Sequence, residues 1–251
     1  MFDLGDRVAL RDRLVEAARR DPEIDAAALL GSSARGTEDR WSDVDLALRL
    51  APGVSAVGVA DRWAEDLRRA EGVVDHLDVH ASGALYRVFL LSSTLQVDLS
   101  FWPHEHFVSG GAPVTLLFGE TGELSTPRPV EDGMDHVRMS WLYALHVRSA
   151  LCRGRAWQAV WMLENLRNRL VSLYCLRHDL PTQEGRGVDA LPEVIRSELA
   201  ETLLSSTEPA GLRRTFAVLV TSLLAEASRQ DLPVPGGLQR TLAELVRSAD
   251  S

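Results

Sequence analysis

The hydrophobic patterning predicts an α+β protein: an N-terminal mixed β-sheet flanked by helices, then a C-terminal α-helical bundle. Three observations carry that reading. Through about residue 105 the apolar residues recur in short runs of period two, interrupted by two stretches of helical spacing. From Glu131 onward the spacing is helical throughout. Between them, residues 110–129 hold four Gly and three Pro and read as a connection. The expected divisions are 1–109, a linker over 110–129 crossing the mouth of the site, and 130–251.

Taken in order, residues 5–20 place Val8, Leu10, Leu14, Val15 and Ala18 among charges, an amphipathic helix. An apolar run at 24–30 reads as a buried strand and another at 43–50 as its successor, with Ala51-Pro52-Gly53 as punctuation. Residues 59–70 form a second helix, with Trp63 and Leu67 four apart and Arg68 and Arg69 at its end. Strands are expected at 73–80, 85–91 and 95–102, the last two joined by a Ser92-Ser93 hairpin that lacks the glycine such turns favour. Helices are then expected at 131–152, 155–179, 189–204, 209–229 and 236–249, broken at Gly154, 181–187, Glu208-Pro209 and 233–237.

Composition bounds the function. The chain of 251 residues is 45% hydrophobic and 25% charged, ordinary for a soluble globular protein with a real core. No run approaches the roughly 18–20 apolar residues of a membrane span. The first residues, MFDLGDRVALRD, mix charges without the apolar stretch of a secretory signal. Cys152 and Cys175 both fall in helical sequence, which suits buried free thiols in a reducing cytoplasm. Up to Thr126 there are 21 carboxylates against 12 arginines, and from Pro127 there are 15 of each. An acidic first half is a poor partner for nucleic acid and a better one for metal ions and cationic small molecules. There is no lysine, which excludes a Walker-A loop and any lysyl covalent intermediate.

The chemistry gathers in residues 31–45, GSSARGTEDRWSDVD. A glycine-bearing turn follows the first strand and ends in two aspartates one residue apart. On an extended strand the side-chain period is two, so Asp43 and Asp45 share a face while Val44, Leu46 and Leu48 take the other. Paired carboxylates repel unless a cation shares them, and a hard divalent metal is the economical partner. In residues 95–101 the apolar face is Val97, Leu99 and Phe101, which leaves Asp98 alone on the polar face. If the two strands are neighbours, three carboxylates converge as ligands for two Mg²⁺ ions in phosphoryl or nucleotidyl transfer.

The Gly-Ser opening, the ten-residue gap and the Asp-Val-Asp close resemble the nucleotidyltransferase superfamily with the polymerase-beta-type fold. The Gly-Ser-x-Ala-Arg-Gly-Thr and Ser-Asp-x-Asp pieces resemble the small bacterial enzymes within it, among them the aminoglycoside and lincosamide adenylyltransferases. The resemblance implies that Gly31 and Ser32 hold the β- and γ-phosphates of ATP or another nucleoside triphosphate, and that Asp43 and Asp45 hold both metals. It implies that Asp98 completes the catalytic metal site. It makes 1–109 the catalytic domain and 130–251 a helical acceptor-binding domain. The backbone N–H groups after Gly31 independently fit an anion nest opening a short helix.

Such enzymes use a glutamate as general base, and Glu164 is the candidate; on a helix it shares a face with Trp157, Trp161 and Asn168, which could line an acceptor pocket. The bland reading is an ion pair with Arg167 and a tryptophan core stripe, and Asp98 could itself be the base. Arg35 and Arg87 are candidate triphosphate contacts. Ser42 could bind phosphate or cap the turn. His76/His80 and His104/His106 lack the further ligands of a zinc site. The expected activity is transfer of AMP to a hydroxyl of a small acceptor, cationic and aminoglycoside-like on electrostatic grounds. The rivals are a protein or RNA acceptor and a non-catalytic nucleotide-binding module. A homodimer is compatible with the resemblance.

Overall fold

The structure is a computed structural model that describes residues 2–107, 114–120 and 131–249. The chain divides into two compact units, residues 1–129 and 130–251. The first is built on a six-stranded sheet of β1 (Ile24–Leu29), β2 (Val44–Leu50), β3 (Val73–Ala81), β4 (Ala84–Leu91), β5 (Gln96–Trp102) and β6 (Thr115–Phe118). The strand order is β3-β4-β5-β2-β1-β6. The pairings are antiparallel except that of β2 with β5, which is parallel.

Helices α1 (Leu4–Arg20) and α3 (Ala56–Glu71) cover one face of that sheet. Leu10, Leu14 and Ala18 from α1, with Val59, Trp63 and Leu67 from α3, pack on Leu46, Leu48, Leu99 and Phe101. Burying a side chain of this size stabilises by about 1.5–3 kcal/mol, so the layer accounts for much of the unit's stability. Asp3 and Asp6 form a capping box at the start of α1, and Ser55 caps α3 by accepting from the Gly58 N–H. The opposite sheet face is lined by small residues, Ala26, Ala28, Ala47 and Ala84, beside Trp102 and Phe107. Period-two alternation thus sends bulk to one side and leaves room on the other.

Two turns explain what the sequence left open. The β3–β4 hairpin uses Ser82 (φ 52°) and Gly83 (φ 79°), both left-handed as a type I′ turn requires. At the β4–β5 turn Thr94 adopts φ 72°, so a threonine takes the left-handed conformation that such turns favour glycine for. The expected linker also needs correcting. Its residues Thr115–Phe118 form β6, which pairs with β1 at the sheet edge. The glycines and prolines around it hid a four-residue strand; the remainder of 110–129 lies largely outside the described residues.

The second unit holds α4 (Gly133–Cys152), α5 (Ala156–Arg177), α6 (Glu193–Ala200), α7 (Pro209–Arg229) and α8 (Gly236–Ser248) around Leu163, Leu166, Leu173, Phe216 and Leu223. Gly154, at φ 66°, lets the chain fold back from α4 into α5, and Pro209 occupies the first turn of α7, where its missing N–H is harmless. The helix expected over 189–204 is only α6, preceded by a 3-10 turn at Val188–Ala190. Pro192 interrupts the run, since it biases Leu191 towards the extended conformation observed there. Cys175 is buried, but Cys152 is exposed, contrary to expectation, because it falls in the last turn of α4.

Candidate active site

The site grows from one register. In the parallel pair β2–β5, Asp45 lies opposite Asp98, and Val44 and Leu46 lie opposite Val97 and Leu99. The apolar neighbours turn to the α1/α3 core, so both aspartates turn to the alanine-lined face. Asp43, one residue before β2, joins them. Carboxylate oxygens of Asp43, Asp45 and Asp98 all lie within 4.8 Å of one another, and all three residues are partly buried. Among the described residues no other group of three or more His, Cys, Asp or Glu side chains converges in this way. A hard divalent cation with oxygen ligands fits such a set.

The glycine of the turn is dictated by the same geometry. Gly31 has φ +57°, and a Cβ there would sit 2.0 Å from Asp45 Oδ2. Only a residue without a side chain lets the backbone of α2 (Gly31–Arg35) pass so close to a carboxylate. Gly36, at φ +66°, ends that short helix. From there to Asp43 the loop is tied from two sides. Glu38 accepts from Arg7 at 2.5 Å and from Arg11 at 3.4 Å, and Ser33 donates to the same carboxylate. Arg7 is fully buried, so its charge anchors the loop from within α1. The Ser42 hydroxyl accepts from the Asp39 N–H at 2.9 Å and donates to Asp39 Oδ1 at 3.2 Å. It therefore caps the turn, one of the two roles open to it. Arg35 is exposed and makes no ion pair among the described residues, whereas the Arg40 guanidinium lies 4.4 Å from the centroid of the Trp41 ring.

Electrostatics mark Asp98. Burial pushes its carboxyl above the usual range, the Asp43 charge adds to that, and a hydrogen bond from Gln96 opposes it. Gln96 Nε2 donates to both oxygens, at 2.9 and 3.1 Å. Tyr86 of β4 has its phenol raised by burial and by the charge of Asp45. Its ring meets Trp102 edge-on at 5.9 Å, and Trp102 Nε1 donates to Ser100 Oγ at 2.9 Å. The sequence reading missed Gln96, Tyr86 and Trp102. Gln96 stands two residues from Asp98 on the same strand face and was legible by period; Tyr86 needed the β4–β5 register, which places it opposite Ser100.

Arg87 is a correction. It pairs with Leu99, on the core side of β5, and so faces away from Asp98. It is buried, donates to Asp78 at 2.6 Å through two nitrogens and to Asp61 at 2.8 Å, and serves the fold. Glu164 lies on α5 in an ion pair with Arg167. The tryptophans on its helix face are not a core stripe, for Trp157 is 78% and Trp161 69% exposed.

Residues 11–116 match the family model described as Nucleotidyltransferase domain. This region is a nucleotidyltransferase domain. The matched residues run from α1 to β6 and include the turn, the three aspartates and the sheet that carries them. The protein is accordingly a transferase, and nucleotidyl transfer is the chemistry of its nucleotidyltransferase domain. Among solved structures it is similar to an aminoglycoside 6-adenyltransferase from Bacillus subtilis, at 12% identity and a TM-score of 0.42, covering 100% of this chain and 99% of that one. It is also similar to a nucleotidyltransferase-like protein from Exiguobacterium sibiricum 255-15, at 15% identity and a TM-score of 0.36, covering 88% of this chain and 75% of that one. At those values neither likeness bears on the acceptor. No curated protein matches the chain. No helix among the described residues is long and apolar enough to cross a membrane.

Proposed function

We propose that this nucleotidyltransferase moves AMP from ATP to a hydroxyl of a small acceptor, using Mg²⁺ held by Asp43, Asp45 and Asp98. The observation that carries the proposal is the in-register Asp45/Asp98 pair, joined by Asp43 within 4.8 Å, beside a glycine that no side chain could replace. Bound there, two Mg²⁺ ions would supply charge neutralisation to the attacking and leaving oxygens. The rest falls to the protein. The backbone at Gly31 and Ser32 holds the β- and γ-phosphates, and Arg35, unpaired and exposed, is free to close on the triphosphate. Ser42 keeps the turn shaped around Asp43. The acceptor oxygen attacks the α-phosphorus, a new P–O bond forms, and the bond to pyrophosphate breaks.

The hydroxyl proton passes to a carboxylate. Asp98 is one candidate, as a carboxylate of the cluster itself. Glu164 is the alternative base, restrained by its ion pair with Arg167. Trp157 and Trp161, exposed on the same helix face, offer flat apolar surface to an acceptor ring in the helical unit. The excess of carboxylates before Thr126 favours a cationic acceptor, as an aminoglycoside-like molecule would be.

The test is incubation with ATP labelled at the α-phosphorus, Mg²⁺ and a panel of hydroxylated amines. Label appears in a small molecule and not in polypeptide. Failure to label any member of the panel removes the small-acceptor reading, and labelled protein replaces it with a polypeptide acceptor. Glu164→Gln separates the bases: a flattened acid limb of the pH–rate profile assigns Glu164, and an unchanged limb leaves the role to Asp98.

A further inference from the structure

The second unit contains a cavity of about 670 Å³ whose wall takes Arg167 and Asn168 from the α5 face read above as the acceptor side. Its wall includes Glu131, His136, Asn168, Arg169, Thr182 and Arg196. Three features distinguish it from a packing defect. The first is an unmet hydrogen-bonding capacity. His136 is 4% exposed and Nδ1 has no partner, while Nε2 lies 2.8 Å from Glu131 Oε1. Arg169 Nε is likewise buried without a partner. Leaving such groups unpaired costs their desolvation energy, which an occupant with matching polar atoms would relieve.

The second feature is the sign of the uncommitted charge. The carboxylates on the wall are already engaged. Glu131 accepts from Thr182 at 2.5 Å, and Glu184 pairs with Arg186 at 2.6 Å. Arg167 is occupied by Glu164. Arg169 and Arg196 have no ion pair among the described residues, so the charge left for a ligand is positive. The third feature is the state of the imidazole. Burial holds His136 below its usual range, Arg169 pushes the same way and Glu131 opposes. A neutral ring offers one N–H and one lone pair to whatever fills the cavity.

The geometry points to a binding site for a small oxyanion-bearing molecule, a phosphate ester or carboxylate, gripped by Arg169 and Arg196 with His136 at its side. Guanidinium forks match both oxyanions, and the volume suits a metabolite-sized ligand. The inference does not require the transferase reading, because it rests on the buried unpartnered nitrogens of His136 and Arg169 rather than on the α5 acceptor face that borders the cavity.

The experiment titrates the full-length protein with inorganic phosphate and, separately, with succinate. It follows the Arg169 Nε–H and His136 ring signals by NMR and heat by calorimetry. Saturable binding of at least one probe is expected, with the Arg169 Nε–H signal shifting on occupancy. Arg196→Gln, an exposed position whose replacement leaves the fold intact, should weaken that binding at least tenfold, and Arg169→Gln should abolish it. Asp45→Asn should leave it unchanged. Phosphate binding without succinate binding assigns a phosphate ester, and the reverse a carboxylate. No saturable response to either probe, or equal affinity in wild type and Arg196→Gln, overturns the proposal.

Discussion

At the scale of single residues, Gly31 is the most constrained position in the nucleotidyltransferase domain. Its positive φ and the 2.0 Å separation between a Cβ and Asp45 Oδ2 act together. Gly31→Ala is therefore expected to destabilise by about 1–3 kcal/mol through backbone strain alone. Because the methyl group also displaces a carboxylate of the proposed metal site, kcat/KM should fall by at least about a hundredfold, a loss far beyond what the stability change explains. Asp45 gives the complementary result. Asp45→Asn removes one of the three converging carboxylates. Transfer should drop by about a thousandfold or more, and stabilisation by Mg²⁺, seen as a raised midpoint in wild type, should disappear. Thermal melts with and without Mg²⁺, beside single-turnover transfer, read both effects.

At the scale of elements, the loop between α2 and β2 is held by Glu38 clamped to the buried guanidinium of Arg7. That hydrogen bond, with help from Ser33, keeps the Glu38 carboxyl below its usual range although burial opposes it. Asp78, held by Arg87, is depressed in the same way. For a carboxyl whose folded pKa is depressed, the stabilisation is complete above the unfolded pKa of about 4 and is lost as pH falls through the folded value. Acid unfolding monitored by circular dichroism should therefore begin below about pH 4. In Glu38→Gln the stability at neutral pH should be lower by about 3 kcal/mol, because a buried charge is left uncompensated. The same variant should raise the KM for ATP, since the loop it frees carries Ser42 and leads into Asp43. Ordinary stability at pH 7 in Glu38→Gln would show that Arg7 does not depend on this partner.

For the molecule as a whole, charge is distributed by unit. The carboxylate excess lies before Thr126, and the second unit is nearly balanced. If the acceptor is cationic, its capture is assisted by the field of the first unit and must weaken as salt shortens the Debye length from about 30 Å at 0.01 M to about 8 Å at 0.15 M. The KM for the acceptor should then rise several-fold across that range while kcat changes little. An acceptor KM indifferent to ionic strength would point to a neutral acceptor. The helical unit keeps its own buried ionic centre, Glu226, fully buried between Arg177 at 2.5 Å and Gln230 at 2.8 Å.

Local chemistry determined much of this protein without any coordinates. Period-two and period-3.6 spacing separated a sheet-bearing unit from a helical one, because each pattern buries a face only in its own secondary structure. The Gly-Ser turn and the Asp43/Asp45 pair were legible because residues two apart on a strand share a face. Tertiary structure decided what depends on partners remote in sequence. The β2–β5 register set Asp98 opposite Asp45, the β4–β5 register turned Arg87 to the core and Tyr86 to the site, and β1 recruited residues 115–118 as an edge strand. The cavity lined by His136 belongs to the same class. No single segment encodes it, since its unpaired nitrogens become meaningful only once packing has removed the water that would have satisfied them.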